Sequence, residues 1–118
     1  MDTNEAIMAF SQSEKVKSGL IWVSQALEAL GGLREHERKG AEKAIHLFTR
    51  MVFQEVRLAR KIAGHGAWEQ IEKEMDQAMV MIDSGVATEC AVQLTRALSL
   101  VTNIGHHSMT FLKERGLL

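Results

Sequence analysis

The longest regular pattern of apolar residues in this chain runs from Val86 to about Glu114. Its members are Cys90, Leu94, Ala97, Val101, Ile104, Ser108 and Phe111, which follow one another at alternating steps of four and three. Positions at this spacing return to the same face of an α-helix every two turns. The pattern predicts one long helix whose apolar face is covered by other helices.

Three further amphipathic segments precede this helix, and glycines separate them. Ser11 followed by Glu14 matches a capping box, in which each residue satisfies the other's free backbone donor at the start of a helix. Gly31 and Gly32 are expected to end that helix in left-handed backbone, which glycine adopts at no steric cost. The helices are predicted at about residues 12–30, 41–63, 67–83 and 86–114, with residues 1–11 as a short N-terminal arm or turn.

Each predicted helix carries an apolar face that we expect to lie inside. In the second helix this face is formed by Ala44, Ile45, Phe48, Met51, Val52, Val56, Ala59 and Ile62. Short connections make sequential helices antiparallel neighbours. The 118 residues are therefore predicted to form a single all-α domain, residues 1–118, folded as an antiparallel up-down four-helix bundle.

Several apolar residues fall outside the tightest core stripes, and they predict self-association. They are Ile21, Trp22, Phe53 and Val80. Bundles with apolar residues on two faces tend to bury the second face against a copy of themselves. The fourth helix, about 43 Å long, also exceeds the third at about 25 Å. It is expected to overhang, to bend at Gly105 or to contact another subunit, so a homodimer or higher oligomer is predicted.

The composition favours helices and excludes several classes of protein. The chain has no proline, and its formal net charge is −1. Strong helix formers dominate, and a nearly neutral chain has no overall field that attracts nucleic acid. The single cysteine, Cys90, excludes an intramolecular disulfide and is expected to be a small buried apolar residue. The sequence shows no secretion signal or membrane-spanning run, so we expect a cytoplasmic protein without a membrane partner.

The charge is nevertheless uneven, since residues 33–63 hold eight Lys and Arg against four Glu. One hypothesis is that this basic helix binds nucleic acid, with cations along the phosphate backbone and an aromatic ring stacked on a base. The residues of this hypothesis are Lys43, Arg50, Phe53, Arg57, Arg60 and Lys61. The alternative is an ordinary solvated face whose cations meet the acidic third helix at Glu69, Glu72 and Asp76.

Arg60 and His65 form an Arg-x-x-x-x-His spacing beside this basic stretch. The spacing is similar to the motif of HEPN-type ribonucleases, small helical bundles that dimerise so that paired Arg and His residues meet in a cleft. The resemblance implies that Arg60 would stabilise phosphate charge and that His65 would act as a general acid or base. The match covers this one short stretch. Lys61 stands where those families often have a polar amide, and His65 lies in a Gly-His-Gly turn.

The adjacent His106 and His107 are the other chemically suggestive residues. They point about 100° apart on a helix, so they cannot chelate one metal ion as an i, i+4 pair would. No Glu precedes a histidine by three positions, as a di-metal site in a bundle would require, and we expect no metal or cofactor. Histidine phosphotransfer domains are four-helix bundles of this size with an exposed histidine. A resemblance to them implies a phosphorylation site at His106 or His46.

No nucleophile motif, phosphate-binding glycine loop, paired inward carboxylates or zinc spacing accompanies these residues. The leading hypothesis is a non-enzymatic interaction or assembly subunit that acts through its helix faces, as a homo-oligomer or with an unidentified protein partner. The alternatives are a nucleic-acid-binding protein or HEPN-like ribonuclease, and a histidine phosphotransfer protein.

Overall fold

The structure is a computed structural model that describes residues 1–63 and 66–118. These residues form four α-helices and one short 3-10 helix, with no β-strand among them. The helices are α1 (Thr3–Leu30), α2 (Glu35–Ile62), α3 (Trp68–Asp83) and α4 (Ala91–Glu114), and the 3-10 helix Ala87–Cys90 leads into α4. The all-helical prediction is confirmed. In the described parts of the chain, no helix is both long and apolar enough to cross a membrane.

The four helices pack as a bundle around one apolar core. Helix α1 contacts α2 and α4, and α3 contacts the same two helices. The largest fully buried side chains include Trp68, Leu20, Leu30, Ile71, Met75 and Leu94. The molecule is elongated, with extents of 54 × 21 × 19 Å. Each helix therefore buries one side in the core and leaves another in contact with solvent.

Helix α1 begins about three turns earlier than predicted. Asp2 caps it, because an oxygen of its carboxylate accepts a hydrogen bond of 2.8 Å from the backbone N–H of Glu5. The prediction of a helix start near Gln12, with residues 1–11 as a separate arm or turn, is therefore wrong. The early turns belong to the helix because Ala6 and Ala9 are fully buried there.

The ends of α1 and α3 fall at the predicted residues but use different backbone geometry. After α3, Gly85 takes a φ of 79°, and the N–H of Val86 donates to the carbonyl of Met81 at 3.0 Å. After α1, Gly31 stays right-handed with a φ of −63°. Short i to i+3 hydrogen bonds close that end, so the expected left-handed ending of α1 is wrong.

The buried face of α2 is rotated from the predicted one. Thr49 and Phe53 are buried, whereas Met51 and Ile62 are 53% and 40% exposed. Ala44 is exposed as well. Helix α2 carries apolar residues around much of its circumference, so periodicity alone did not show which side α1 and α3 cover.

Gly105 lies at a close contact between α4 and α1, and α4 continues through it as one α-helix. A Cβ added at Gly105 would lie 2.9 Å from Oγ of Ser13. Phe10 and Met109 line the same small cavity beside this contact. The extended α1 therefore lies beside the part of α4 that was expected to overhang or bend.

Candidate functional site

Helix α2 exposes a row of large apolar side chains that the sequence analysis did not single out as a surface. Leu47, Met51, Leu58 and Ile62 are 51%, 53%, 43% and 40% exposed, respectively. Steps of four, seven and four residues place them on one side of the helix. We call these four residues the α2 stripe. The apolar residues on the side of α2 away from the core also follow the helical period of about 3.6 residues, and this signal could have identified the α2 stripe from the sequence.

The α2 stripe continues onto α1 through an aromatic contact. The rings of Trp22 and Phe48 are stacked, with centroids 6.3 Å apart and an interplanar angle of 29°. Trp22 is nevertheless 58% exposed. Met8 lies on the same side of α1 as Lys15 and Trp22. It precedes them by seven and fourteen residues, and positions seven residues apart lie on the same side of a helix. We call Met8, Trp22, Phe48 and the α2 stripe together the α1–α2 surface.

A polar bridge crosses the middle of the α1–α2 surface. The amide Nε2 of Gln12 donates to the backbone carbonyl of Glu55 at 3.2 Å and to its carboxylate at 3.1 Å. The ammonium of Lys15 lies 3.6 Å from that carboxylate. Gln12 is buried, whereas the side chains of Lys15 and Glu55 remain partly exposed. The bridge fixes α1 against α2 and divides the surface into two apolar patches.

The opposite side of α2 meets acidic residues of α3. The guanidinium of Arg60 lies 2.9 Å from an oxygen of Glu72 and 4.0 Å from one of Glu69. Arg57 lies 3.6 Å from Glu72. The hydrogen bond and charge of Glu72, with the charge of Glu69, raise the pKa of Arg60. Arg57 and Arg60, two of the cations proposed to bind nucleic acid, are thus paired with carboxylates of α3. The alternative, an ordinary solvated face, predicted such pairing with Glu69 and Glu72.

Phe53 is not a surface residue. Only 5% of it is exposed, and the guanidinium carbon of Arg57 lies 4.5 Å from its ring centroid. Phe53 was predicted from the sequence to line a self-association interface or to stack on a nucleic-acid base. Both assignments are wrong, since the ring is covered by its own chain.

Three other cations of the nucleic-acid hypothesis stay free in the described structure. Lys43, Arg50 and Lys61 are exposed and form no ion pair with any described residue. Their positions follow the edge of the α2 stripe that faces away from α1. They therefore give the α1–α2 surface one basic edge.

The histidine-based hypotheses gain little from the geometry. His65 lies outside the described residues, so the predicted pairing of Arg60 with His65 stays a prediction. Nε2 of His46 lies 2.7 Å from Oδ1 of Asp83. His106 and His107 are both exposed, with ring centroids 6.3 Å apart and planes at 84°. His106 lines the cavity beside Gly105 and His107 lines a separate one with Leu100 and Ile104, so the two side chains lie on different sides of α4.

The remaining predicted interface residues lie on separate surfaces. Val80 is 63% exposed and lines a shallow depression on α3 with Asp76, Gln77 and Met81. Ile21 is 38% exposed, and it points about 100° away from its neighbour Trp22 around α1. Of the exposed predicted residues, only Trp22 belongs to the α1–α2 surface.

The buried cysteine and the acidic residues do not form a reactive or metal-binding centre in the described structure. Cys90 is fully buried, and burial raises the pKa of its thiol, which lowers the fraction of reactive thiolate. No group of three or more His, Cys, Asp or Glu side chains among the described residues is placed to hold a metal ion.

Comparison of the chain with models of protein families, with curated proteins and with solved structures gives no match.

Proposed function

We propose that this chain is a non-enzymatic assembly subunit that associates with a second copy of itself through the α1–α2 surface. The observation that carries the proposal is the exposed aromatic and aliphatic surface that crosses from Trp22 on α1 to the α2 stripe. Exposed apolar patches of this kind typically mark an interaction site.

The arrangement of the helices supports the same proposal. Gln12 bonds to Glu55, and Trp22 stacks on Phe48, so the contacts advance in opposite directions along α1 and α2. With the short connections, this order supports an antiparallel up-down bundle. The exposed apolar residues of α1 and α2 then lie together on one side of the bundle. A matching face on a second copy would cover them.

The charges favour protein association over nucleic-acid binding. Arg57 and Arg60 are paired with carboxylates of α3, and Phe53 is buried. The centre of the exposed surface is apolar, whereas nucleic-acid interfaces are strongly basic and polar. Trp22 and Met51 also belong to residue types that are enriched in protein interfaces.

Sedimentation equilibrium of the wild type and of Met51→Glu tests the proposal. The wild type is expected to form dimers at micromolar concentration. A carboxylate at position 51 would be buried without a partner in that interface, so the dissociation constant should rise at least about tenfold, which corresponds to about 1.4 kcal/mol. Val80→Glu is the matched control, because Val80 is also an exposed apolar residue, 63% against 53% for Met51, but lies on α3.

The control also separates the possible outcomes. Dimers that are weakened by Met51→Glu and unaffected by Val80→Glu support the proposal. A strictly monomeric wild type, or dimers that only Val80→Glu disrupts, would refute it. Circular dichroism of both variants checks that the helices are retained.

A further inference from the structure

The α1–α2 surface carries an ordered pattern of charge that restricts how a second copy can cover it. At its centre, Lys15 on α1 and Glu55 on α2 lie side by side, 3.6 Å apart. At its α2 edge lie Lys43, Arg50 and Lys61, which have no ion-pair partner in the described structure. The positions on the α1 edge include the uncharged Ser18 and Gln25, and Glu14, whose carboxylate lies 3.1 Å from the ammonium of Lys17.

A symmetric dimer that uses the same face on both copies has a two-fold axis within the plane of the interface. If the axis runs across the helices, α2 meets α2 of the second copy and α1 meets α1. If the axis runs along the helices, α1 of each copy meets α2 of the other. The two arrangements bring different charges together.

The axis across the helices opposes like charges. It would place the basic edge of α2 against the same edge of the partner, and Lys15 and Glu55 each near their own equivalents. Like charges brought together in an interface are unfavourable by several kcal/mol. The axis along the helices instead places Lys15 opposite Glu55 of the partner subunit. It also places the basic edge of α2 against the α1 edge, where the charges of Glu14 and Lys17 offset each other and no cation is unpaired.

We infer that the two-fold axis of the dimer runs parallel to the helices, so that α1 of each copy packs against α2 of the other. This inference rests on the proposed function. It assigns Lys15 and Glu55 to a cluster of four charges, two from each copy, at the centre of the interface. The two apolar patches on either side of the charge bridge then meet their counterparts on the second copy.

Thiol cross-linking tests the arrangement. Ser18 lies on the α1 edge and Gln54 on the α2 edge, at similar heights, because Gly19 faces Val52 and Gln12 bonds to Glu55. With the axis along the helices, position 18 of one copy lies near position 54 of the other. Within one copy, the two positions lie on opposite edges of the surface.

The experiment mixes Ser18→Cys with Gln54→Cys and adds a short bis-maleimide. The mixture is expected to give several-fold more covalent dimer than either variant alone. The wild type controls for Cys90, which is buried and should not react. Sedimentation of the same variants without the reagent measures whether the dimer itself is present.

The outcomes distinguish the inference from the proposed function. If the variants are dimeric but Gln54→Cys cross-links with itself and the mixture gives no more, the axis runs across the helices and the inference is overturned. If all variants are monomeric, both the inference and the proposed function fail. A monomer that binds vesicles of anionic phospholipid would overturn both, because the surface would then face a membrane.

Discussion

The two long sides of α2 differ in how they are covered. Towards α3, its cations Arg57 and Arg60 meet carboxylates, and Phe53 is sealed beneath Arg57. On the other side, the four residues of the α2 stripe remain exposed beside α1. The covered side uses polar contacts and one buried ring, whereas the open side carries most of the exposed hydrocarbon of this helix. The difference shows that α2 pairs two of its cations with carboxylates of α3 and leaves its exposed apolar residues uncovered by the described chain.

The largest loss of stability is expected from removing the buried ring of Phe53 on the side of α2 that α3 covers. Phe53→Ala should lower the free energy of unfolding by about 3–5 kcal/mol, since it leaves a cavity against the core. Met51→Ala on the open side should change it by no more than about 0.5 kcal/mol. Denaturant unfolding at low protein concentration measures both, so that association does not contribute. Equal effects of the two substitutions would contradict the distinction between the sides.

A smaller loss of stability is expected from a substitution at Gly19, where α1 closely approaches α2. A Cβ at Gly19 would lie 2.7 Å from Cγ2 of Val52, so Gly19→Ala should cost about 1–3 kcal/mol through overpacking. In a Val52→Ala background the same change should cost less, because the clashing methyl is absent. Thermal or denaturant unfolding of the four proteins measures the coupling.

Gly40 provides the matched control for Gly19. It lies within α2, and a Cβ there would have no described neighbour within 4 Å. Gly40→Ala is therefore expected to stabilise the protein by up to about 1 kcal/mol through helix propensity. If Gly19→Ala were equally stabilising, the contact between Gly19 and Val52 would not be as close as the structure places it.

The smallest effect is expected for the ion pairs between α2 and α3. Arg60→Met should lower the melting temperature slightly at low salt, and the difference should vanish at about 1 M salt, where the Debye length is about 3 Å. Because the pKa of Arg60 is raised, its contribution is present below its ordinary pKa and is lost only as the pH rises through the raised value. Salt is therefore the variable to scan at neutral pH.

Arg50→Met is the control for the ion pairs. Arg50 has no carboxylate partner in the described structure, so this substitution should leave the melting temperature unchanged at every salt concentration, measured at a protein concentration low enough that association does not contribute. If both variants lost melting temperature by a similar, salt-dependent amount, the charges of α2 would act through their combined long-range field. The specific pairing with Glu72 would then not account for the covered side.

The candidate surface was only partly predictable from the sequence. Trp22 was identified because it stands apart from the core stripe of α1. Met51 and Ile62 were expected inside, since they share a helical face with Val52 and Val56 in the most regular pattern of α2. Phe53 was expected outside for the same reason. The predicted buried face of α2 is rotated about the helix axis from the observed one. This error exchanged buried for exposed residues on the α1–α2 surface.

The sequence by itself determined the four helices, the residues at which α1 and α3 end, and the buried stripe of α1. Val16, Leu20 and Val23 follow one another at steps of four and three residues, and all three are buried, as this spacing predicts for one face of a helix. Only the tertiary structure decided where α1 begins and which side of α2 is covered. Those choices depend on contacts between residues far apart in the chain, such as Ser13 with Gly105 and Arg60 with Glu72. Local periodicity carries no information about such partners when a helix has more than one apolar side.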